Sequence, residues 1–206
     1  MKIVIPLVTT IVVLFCSSSV SATELSIGLN NDIVSTEVLF GNKDDTYRYV
    51  ADLTVQDNDN GENSGSACFG ALVGNSTFLP KSFTLSAGPV FCASRDSISD
   101  TTAYGASLFV KTEVPLLDAA KGKKGDRFFD NLAFEFEGKY SPSLLSDGDS
   151  DLGKIDDMIE IYFGLTLNPA DNVKLSFGYI DGEVELENGN DVDVFDGVIF
   201  SGVMKF

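Results

Sequence analysis

Polar and apolar side chains alternate along most of this chain, most strictly over its last fifty residues. In 158–167 the odd positions are Ile159, Ile161, Phe163, Leu165 and Leu167; the even ones are Met158, Glu160, Tyr162, Gly164 and Thr166. The segment 173–179 sets Val173, Leu175, Phe177 and Tyr179 against Lys174, Ser176 and Gly178. The closing segment 197–206 sets Val198, Phe200, Gly202, Met204 and Phe206 against Ile199, Ser201, Val203 and Lys205. A period of two is the signature of a β-strand with two unlike faces. Seven earlier segments repeat it, at 24–30, 35–41, 46–56, 66–74, 82–92, 103–114 and 132–140. The pattern predicts an all-β domain of about ten strands, with eight as the smaller count. A short helix is expected only within 115–130, around Leu116-Leu117-Asp118-Ala119-Ala120-Lys121.

Alternation has two structural solutions. In a soluble sandwich the apolar face packs inward. In a membrane barrel the apolar face meets lipid and the polar face lines the lumen. The connections favour the barrel. On one side they are 57–65, 93–102, 141–156 and 182–193, long and mostly acidic, beside a tight 31–34; on the other, 42–45, 75–81 and 168–172 are short and only 115–131 is long. Long outer loops and short periplasmic turns mark bacterial outer-membrane barrels, as does an even strand count. The last strand carries one Lys and no Pro. A free edge normally carries such blocking features, so this strand is expected to be paired on both sides. The expected fold is a closed antiparallel up-and-down transmembrane β-barrel; the alternative is a soluble periplasmic or secreted β-sandwich that binds a partner.

The first 22 residues read as a cleaved secretory signal peptide, which leaves 23–206 as one barrel domain. Lys2 gives the positive start, 3–15 is almost wholly apolar, and Val20-Ser21-Ala22 is a small-residue cleavage site. Lipidation at Cys16 is the rival reading, opposed by bulky Phe15 before it. No later run approaches the roughly 18 apolar residues of a transmembrane helix. The net charge of −17 argues against nucleic acid. The chain has no His, which removes the commonest general base and metal ligand. Without a Ser–base constellation, no enzyme activity, cofactor or metal is expected.

The signal peptide, the β-ladder and the terminal aromatic together resemble outer-membrane β-barrel proteins. Val203-Met204-Lys205-Phe206 looks like the C-terminal signal, ending on Phe206, that the barrel-assembly machinery reads. More narrowly, the block Gly138-Lys139-Tyr140-Ser141-Pro142-Ser143-Leu144-Leu145-Ser146 resembles the YfaZ family. There Tyr-Ser-Pro precedes a Ser- and Asp-rich loop, a strand, a Pro and a strand with Gly-Tyr, matched here by 147–151, Pro169 and Gly178-Tyr179. The resemblance covers roughly 132–206. It implies a small protein of the cell outer membrane, bathed in outer-membrane lipid, and brings no catalytic residues.

If lipid takes the apolar face, the lumen receives Glu37, Arg48, Asp52, Lys111, Glu113, Glu135, Glu137, Lys139, Glu160 and Lys174. Such charges must pair or stay wet. They form either a structural ion-pair plug or, since acids outnumber bases, a narrow cation-preferring pore. Cys68 and Cys92 are expected to form a disulfide at the outer rim, closing a loop worth about 3 kcal/mol by chain entropy. A metal pair or a reactive thiol is the lesser reading. Asp147-Gly148-Asp149-Ser150-Asp151 and Asp57-Asn58-Asp59-Asn60-Gly61 invite a calcium reading. The first fails the EF-hand pattern, because Leu152 and Met158 stand where Gly and Glu are required. Solvated acidic loops fit both better.

Overall fold

The computed structural model describes residues 22–41, 47–58, 62–74, 83–116, 132–170 and 172–205. The expected signal peptide before Ala22, the expected helix beyond Leu116 and the terminal Phe206 lie outside them. Each of the ten alternating segments forms a strand. They are β1 (Ala22–Leu29), β2 (Ile33–Gly41), β3 (Tyr47–Asp57), β4 (Asn63–Gly74), β5 (Thr84–Asp96), β6 (Thr101–Pro115), β7 (Leu132–Ser141), β9 (Ile155–Ala170), β10 (Val173–Leu186) and β11 (Asp191–Lys205). A short additional strand, β8 (Ser146–Asp149), follows β7.

Every pairing is antiparallel, and with the short β8 set aside each strand pairs with its neighbours in sequence, apart from the seam. There β1 pairs with β11, from Glu24 opposite Lys205 to Leu29 opposite Phe200. The ring of ten is thereby closed, with neither end strand left as an edge. Closure is what lets a sheet satisfy all its backbone groups in oil. β8 is not an eleventh stave. Pro142 removes a ladder donor and breaks β7. A single 3-10 turn, Ser143–Leu145, follows, and β8 then resumes the pairing with β6 at Thr102–Gly105.

The side chains are sorted opposite to those of a soluble protein. Phe163 is 46% exposed, Leu175 49%, Phe177 47% and Phe200 64%, all pointing outward. Phe69, Phe91, Leu108, Phe134 and Met204 are also exposed on the outer surface. Cross-strand ring pairs tile it: Phe177–Phe200 at 4.7 Å, Phe163–Tyr179 at 5.6 Å and Phe69–Phe91 at 5.7 Å between centroids. On β2 the outward residues Thr36, Val38 and Phe40 are covered instead. The sandwich alternative required the apolar face to be buried under a second sheet, and the described residues form a single sheet closed into a ring.

Two of the long outer loops expected from the sequence, 93–102 and 182–193, shrink to tight turns, while 142–154, between β7 and β9, remains long and carries β8. The strands extend through most of the length of the first two. β5 runs on to Asp96, β10 to Leu186, and β11 begins at Asp191. The turns left are short: 97–100 joins β5 to β6, and 187–190 joins β10 to β11. The physical reason is a reversal of phase. Up to Tyr179 the odd residues of β10 are apolar and face out. Beyond it Asp181, Glu183 and Glu185 take the outward positions, while Ile180, Val184 and Leu186 are buried inside. A strand with acids outside and aliphatics inside is built for water, so the barrel continues as a soluble collar above its lipid-facing zone.

Three tyrosines mark the boundary. The hydroxyls of Tyr104, Tyr140 and Tyr179 donate to Asp147 (3.3 Å), Asp157 (2.8 Å) and Asp196 (3.3 Å). Rings with one wet end favour the headgroup level of a bilayer.

Candidate functional site: the charged lumen

Lumen positions recur at every second residue of each strand, and the middle of the barrel collects its charges there. They assemble as three bridges in which one lysine ties two carboxylates. Lys111 (β6) lies 2.6 Å from Glu37 (β2) and 2.5 Å from Glu137 (β7). Lys139 (β7) lies 2.9 Å from Asp52 (β3) and also pairs with Glu160 (β9). Lys174 (β10) lies 2.8 Å from Glu113 (β6) and 2.7 Å from Glu135 (β7). Glu135 also stands 3.8 Å from Lys111, which joins two of the bridges. Lys174 and Glu135 are each only 5% exposed. Arg48, half-buried near the inner end of β3, holds the same lumen parity outside these bridges.

The sequence pointed to this set of residues but not to their partners. Proximity of strands 132–140, 157–167 and 173–180 brought Glu135, Glu137, Lys139, Glu160 and Lys174 together without assigning pairs; in the structure Lys139 meets Glu160 and Lys174 meets Glu135. The Lys111–Glu37 and Lys139–Asp52 pairs instead cross the lumen between strands four places apart around the ring. Ser66 on β4 reaches likewise to Glu160 on β9, donating at 2.8 Å. Only the curvature of a narrow barrel brings such residues together, and alternation carries no measure of curvature.

Apolar packing flanks the charges. Ile33, Ile155, Val184, Leu186, Val192 and Val194 fill the outer end of the lumen, and Leu39 and Leu72 lie towards the inner end. Aromatic rings occupy space left by glycine. The Tyr162 ring covers Gly164 and Gly178, where an added Cβ would come within 2.9 and 2.6 Å of ring carbons. The lumen retains a cavity of about 60 Å³ whose wall includes Glu37, Asp52, Glu135, Glu137, Glu160, Lys111 and Lys139. A buried water needs roughly 10–15 Å³ on this measure, so there is space for a few waters and no wide channel.

Cys68 and Cys92 form a disulfide. They oppose each other directly across β4 and β5 and face the lumen, both buried. The expected rim position is corrected. β4 starts at Asn63 and β5 continues to Asp96, so the bridge lies well inside the barrel, on the same rung as Asp52. The acidic stretch 147–151 is also less of a loop than expected, since Asp147 and Asp149 lie in β8. Of the stretch 57–61, residues 59–61 lie outside the described residues.

On the collar, above the lipid-facing zone, partial burial raises the carboxyl pKa values of Asp181 and Glu183. Neighbouring carboxylates, Asp193 among them, add to the rise. Asp96, at the β5–β6 turn, goes the other way. Burial pushes its carboxyl up, but hydrogen bonds from the Ser64 and Ser99 hydroxyls and from the Ser99 and Ile98 amides outweigh it and hold the group below its ordinary value.

No protein-family profile matches the chain, and no curated protein sequence matches it. Among solved structures, it is similar to the outer membrane channel DcaP of Acinetobacter baumannii. The match has 11% identity and a TM-score of 0.40, and covers 90% of this chain and 56% of that one. It is also similar to a bacterial polysaccharide outer membrane secretin, at 8% identity and a TM-score of 0.46, covering 88% of this chain and 57% of that one. The chain thus spans little more than half the length of either. In fold it is a closed ten-strand antiparallel barrel with an apolar exterior.

Proposed function

We propose that this protein is a small outer-membrane barrel with a shut lumen and a structural role, rather than an open pore. The observation that carries this reading is the set of side-chain bridges across the lumen. A lysine on one wall reaching a carboxylate four strands away leaves no continuous bore at that level. The aliphatic layer at the outer end adds a second obstruction. Outer-membrane placement is supported by the exposed aromatic and aliphatic exterior, the tyrosine–carboxylate belt and the signal-like first 22 residues. On this reading the partners are outer-membrane lipid and, through Phe206, the barrel-assembly machinery. Kinship with the YfaZ family is part of the same proposal. It is supported by the Tyr140-Ser141-Pro142 block, where Pro142 ends a strand as that pattern requires. Neither this role nor its rival calls for a catalytic residue.

The rival is a narrow cation-preferring leak, favoured by six carboxylates sharing three lysines. Planar-bilayer recording of the refolded protein separates the two. The shut barrel gives a silent bilayer at moderate voltage. Discrete, cation-selective openings in most insertions would overturn it.

A further inference from the structure

The wall of the lumen cavity is electrically unbalanced. It presents five carboxylates, Glu37, Asp52, Glu135, Glu137 and Glu160, and two ammonium groups, Lys111 and Lys139. Lys174, reaching Glu135 at 2.7 Å, is a third ammonium, which leaves an excess of two negative charges in a space with room for only a few waters. Glu37 and Asp52 oppose each other directly on β2 and β3, and like charges in that relation repel. They are tied to different lysines, Glu37 to Lys111 and Asp52 to Lys139. The Asp52 side chain is only 6% exposed. Its Oδ2 takes the Lys139 ammonium, but its Oδ1 is buried and accepts no hydrogen bond. A buried anionic oxygen left without a partner costs more than the net worth of a typical hydrogen bond.

We propose that this cavity is a binding site for a small hard cation, held by Asp52 Oδ1 and Glu37, with nearby hydroxyls and water completing its oxygen shell. Ser35 and Thr54, one rung further out on the same two strands, also line the cavity. Carboxylate, hydroxyl and water oxygens suit alkali and alkaline-earth ions. Carboxylate oxygens of Asp52 and Glu160 and the Cys68 sulfur lie within 4.8 Å of one another, so Glu160 stands ready as a further oxygen ligand, while Cys68 is locked in its disulfide and offers no thiolate to softer metals. The ion would supply the positive charge the bridges lack. The proposal leans on the shut-lumen reading only for its water-poor chamber.

The test follows the heat-induced change in gel migration of the folded protein in detergent. It is run in NaCl, KCl, MgCl2 or CaCl2 and compared with choline chloride at equal ionic strength. Choline screens surface charge equally but is too bulky for the cavity. The transition temperature is expected to climb with the logarithm of the concentration of at least one inorganic cation, as linkage requires, and not with choline. Asp52→Asn should abolish that dependence and raise the transition in choline. Asp191→Asn, on the exposed collar, should leave the dependence intact. Should Asp52→Asn not fold, Glu37→Gln serves the same purpose. Equal responses to choline and the inorganic ions, or a dependence that survives the Asp52 and Glu37 variants, would overturn the proposal. So would stability that ignores cations and rises only with acidity, which would mean that protons do the neutralising. An open conductance in bilayers would refute the shut lumen without altering this result, so the two failures are distinguishable.

Discussion

Removal of the Lys139 ammonium is the sharpest perturbation of the lumen. Lys139 is 7% exposed and bridges Asp52, at 2.9 Å, and Glu160; it also sits 5.3 Å over the Phe109 ring. Lys139→Met keeps most of the aliphatic volume and strands two carboxylates in a nearly dry interior. Breaking a buried pair from one side costs about 3–5 kcal/mol, because the carboxylates left behind have lost their partner in a water-poor interior. The triple variant Lys139→Met/Asp52→Asn/Glu160→Gln removes all three charges at near-constant shape. Replacing a buried ion cluster by apolar groups of similar volume is often neutral or stabilising by about 1–4 kcal/mol, and Asn and Gln, though polar, carry no charge to desolvate. The triple is therefore expected to recover most of the loss. Urea unfolding in lipid vesicles reads both. With an m-value of about 1–3 kcal/mol per molar, the single variant should move the midpoint down by on the order of 1–5 M. A single variant within about 1 kcal/mol of the parent, or a triple less stable than the single, would refute the claim that these charges are buried and mutually dependent.

Further expectations concern the outer surface, the glycine seats and the collar. Phe177→Arg should cost about 2–4 kcal/mol of folding free energy in bilayers, whereas Asp191→Arg on the collar should change it by less than about 1 kcal/mol. Gly178→Ala should cost about 1–3 kcal/mol by pushing a methyl against the Phe163 carbonyl oxygen and the Tyr162 ring. Gly202→Ala, whose added carbon meets nothing within 4 Å, should be close to neutral by the same urea titration. Because Asp181 and Glu183 have raised pKa values, the folded protein holds protons there that the unfolded chain has released. Their contribution is favourable at low pH and is lost as pH rises through the raised values. Asp193→Asn should lessen that loss, which a comparison of unfolding midpoints between acidic and neutral pH would detect.

The fold was legible where lipid imposes one rule on every strand. Leu175, Phe177 and Tyr179 against Lys174, Ser176 and Gly178 needed only a period of two, and the ten strand cores follow from that. The strand ends were misread for an equally definite reason. The alternation does not stop at Tyr179; it reverses. Asp181, Glu183 and Glu185 outside and Val184 and Leu186 inside form a regular strand, but one with water on its outer face. Read with a lipid-only rule, the reversal looks like a polar loop. The same error placed Cys68 and Cys92 at the rim. Pairing within the lumen was partly hidden because it depends on barrel diameter. Lys139 with Glu160 follows from adjacent strands; Lys139 with Asp52 does not, for those residues belong to opposing walls. The reversal at Tyr179 was available in the sequence all along. The transverse pairs were not.

The central claim is that oil, rather than protein or water, covers the outward side chains. The chain contains no Trp, so one introduced at Phe177 reports alone. Fluorescence of Phe177→Trp should be quenched strongly by lipids brominated near the middle of their acyl chains, and Asp191→Trp should be quenched little. Equal quenching at the two sites, or a folded Phe177→Trp protein that stays soluble without detergent and ignores brominated lipid, would contradict the account.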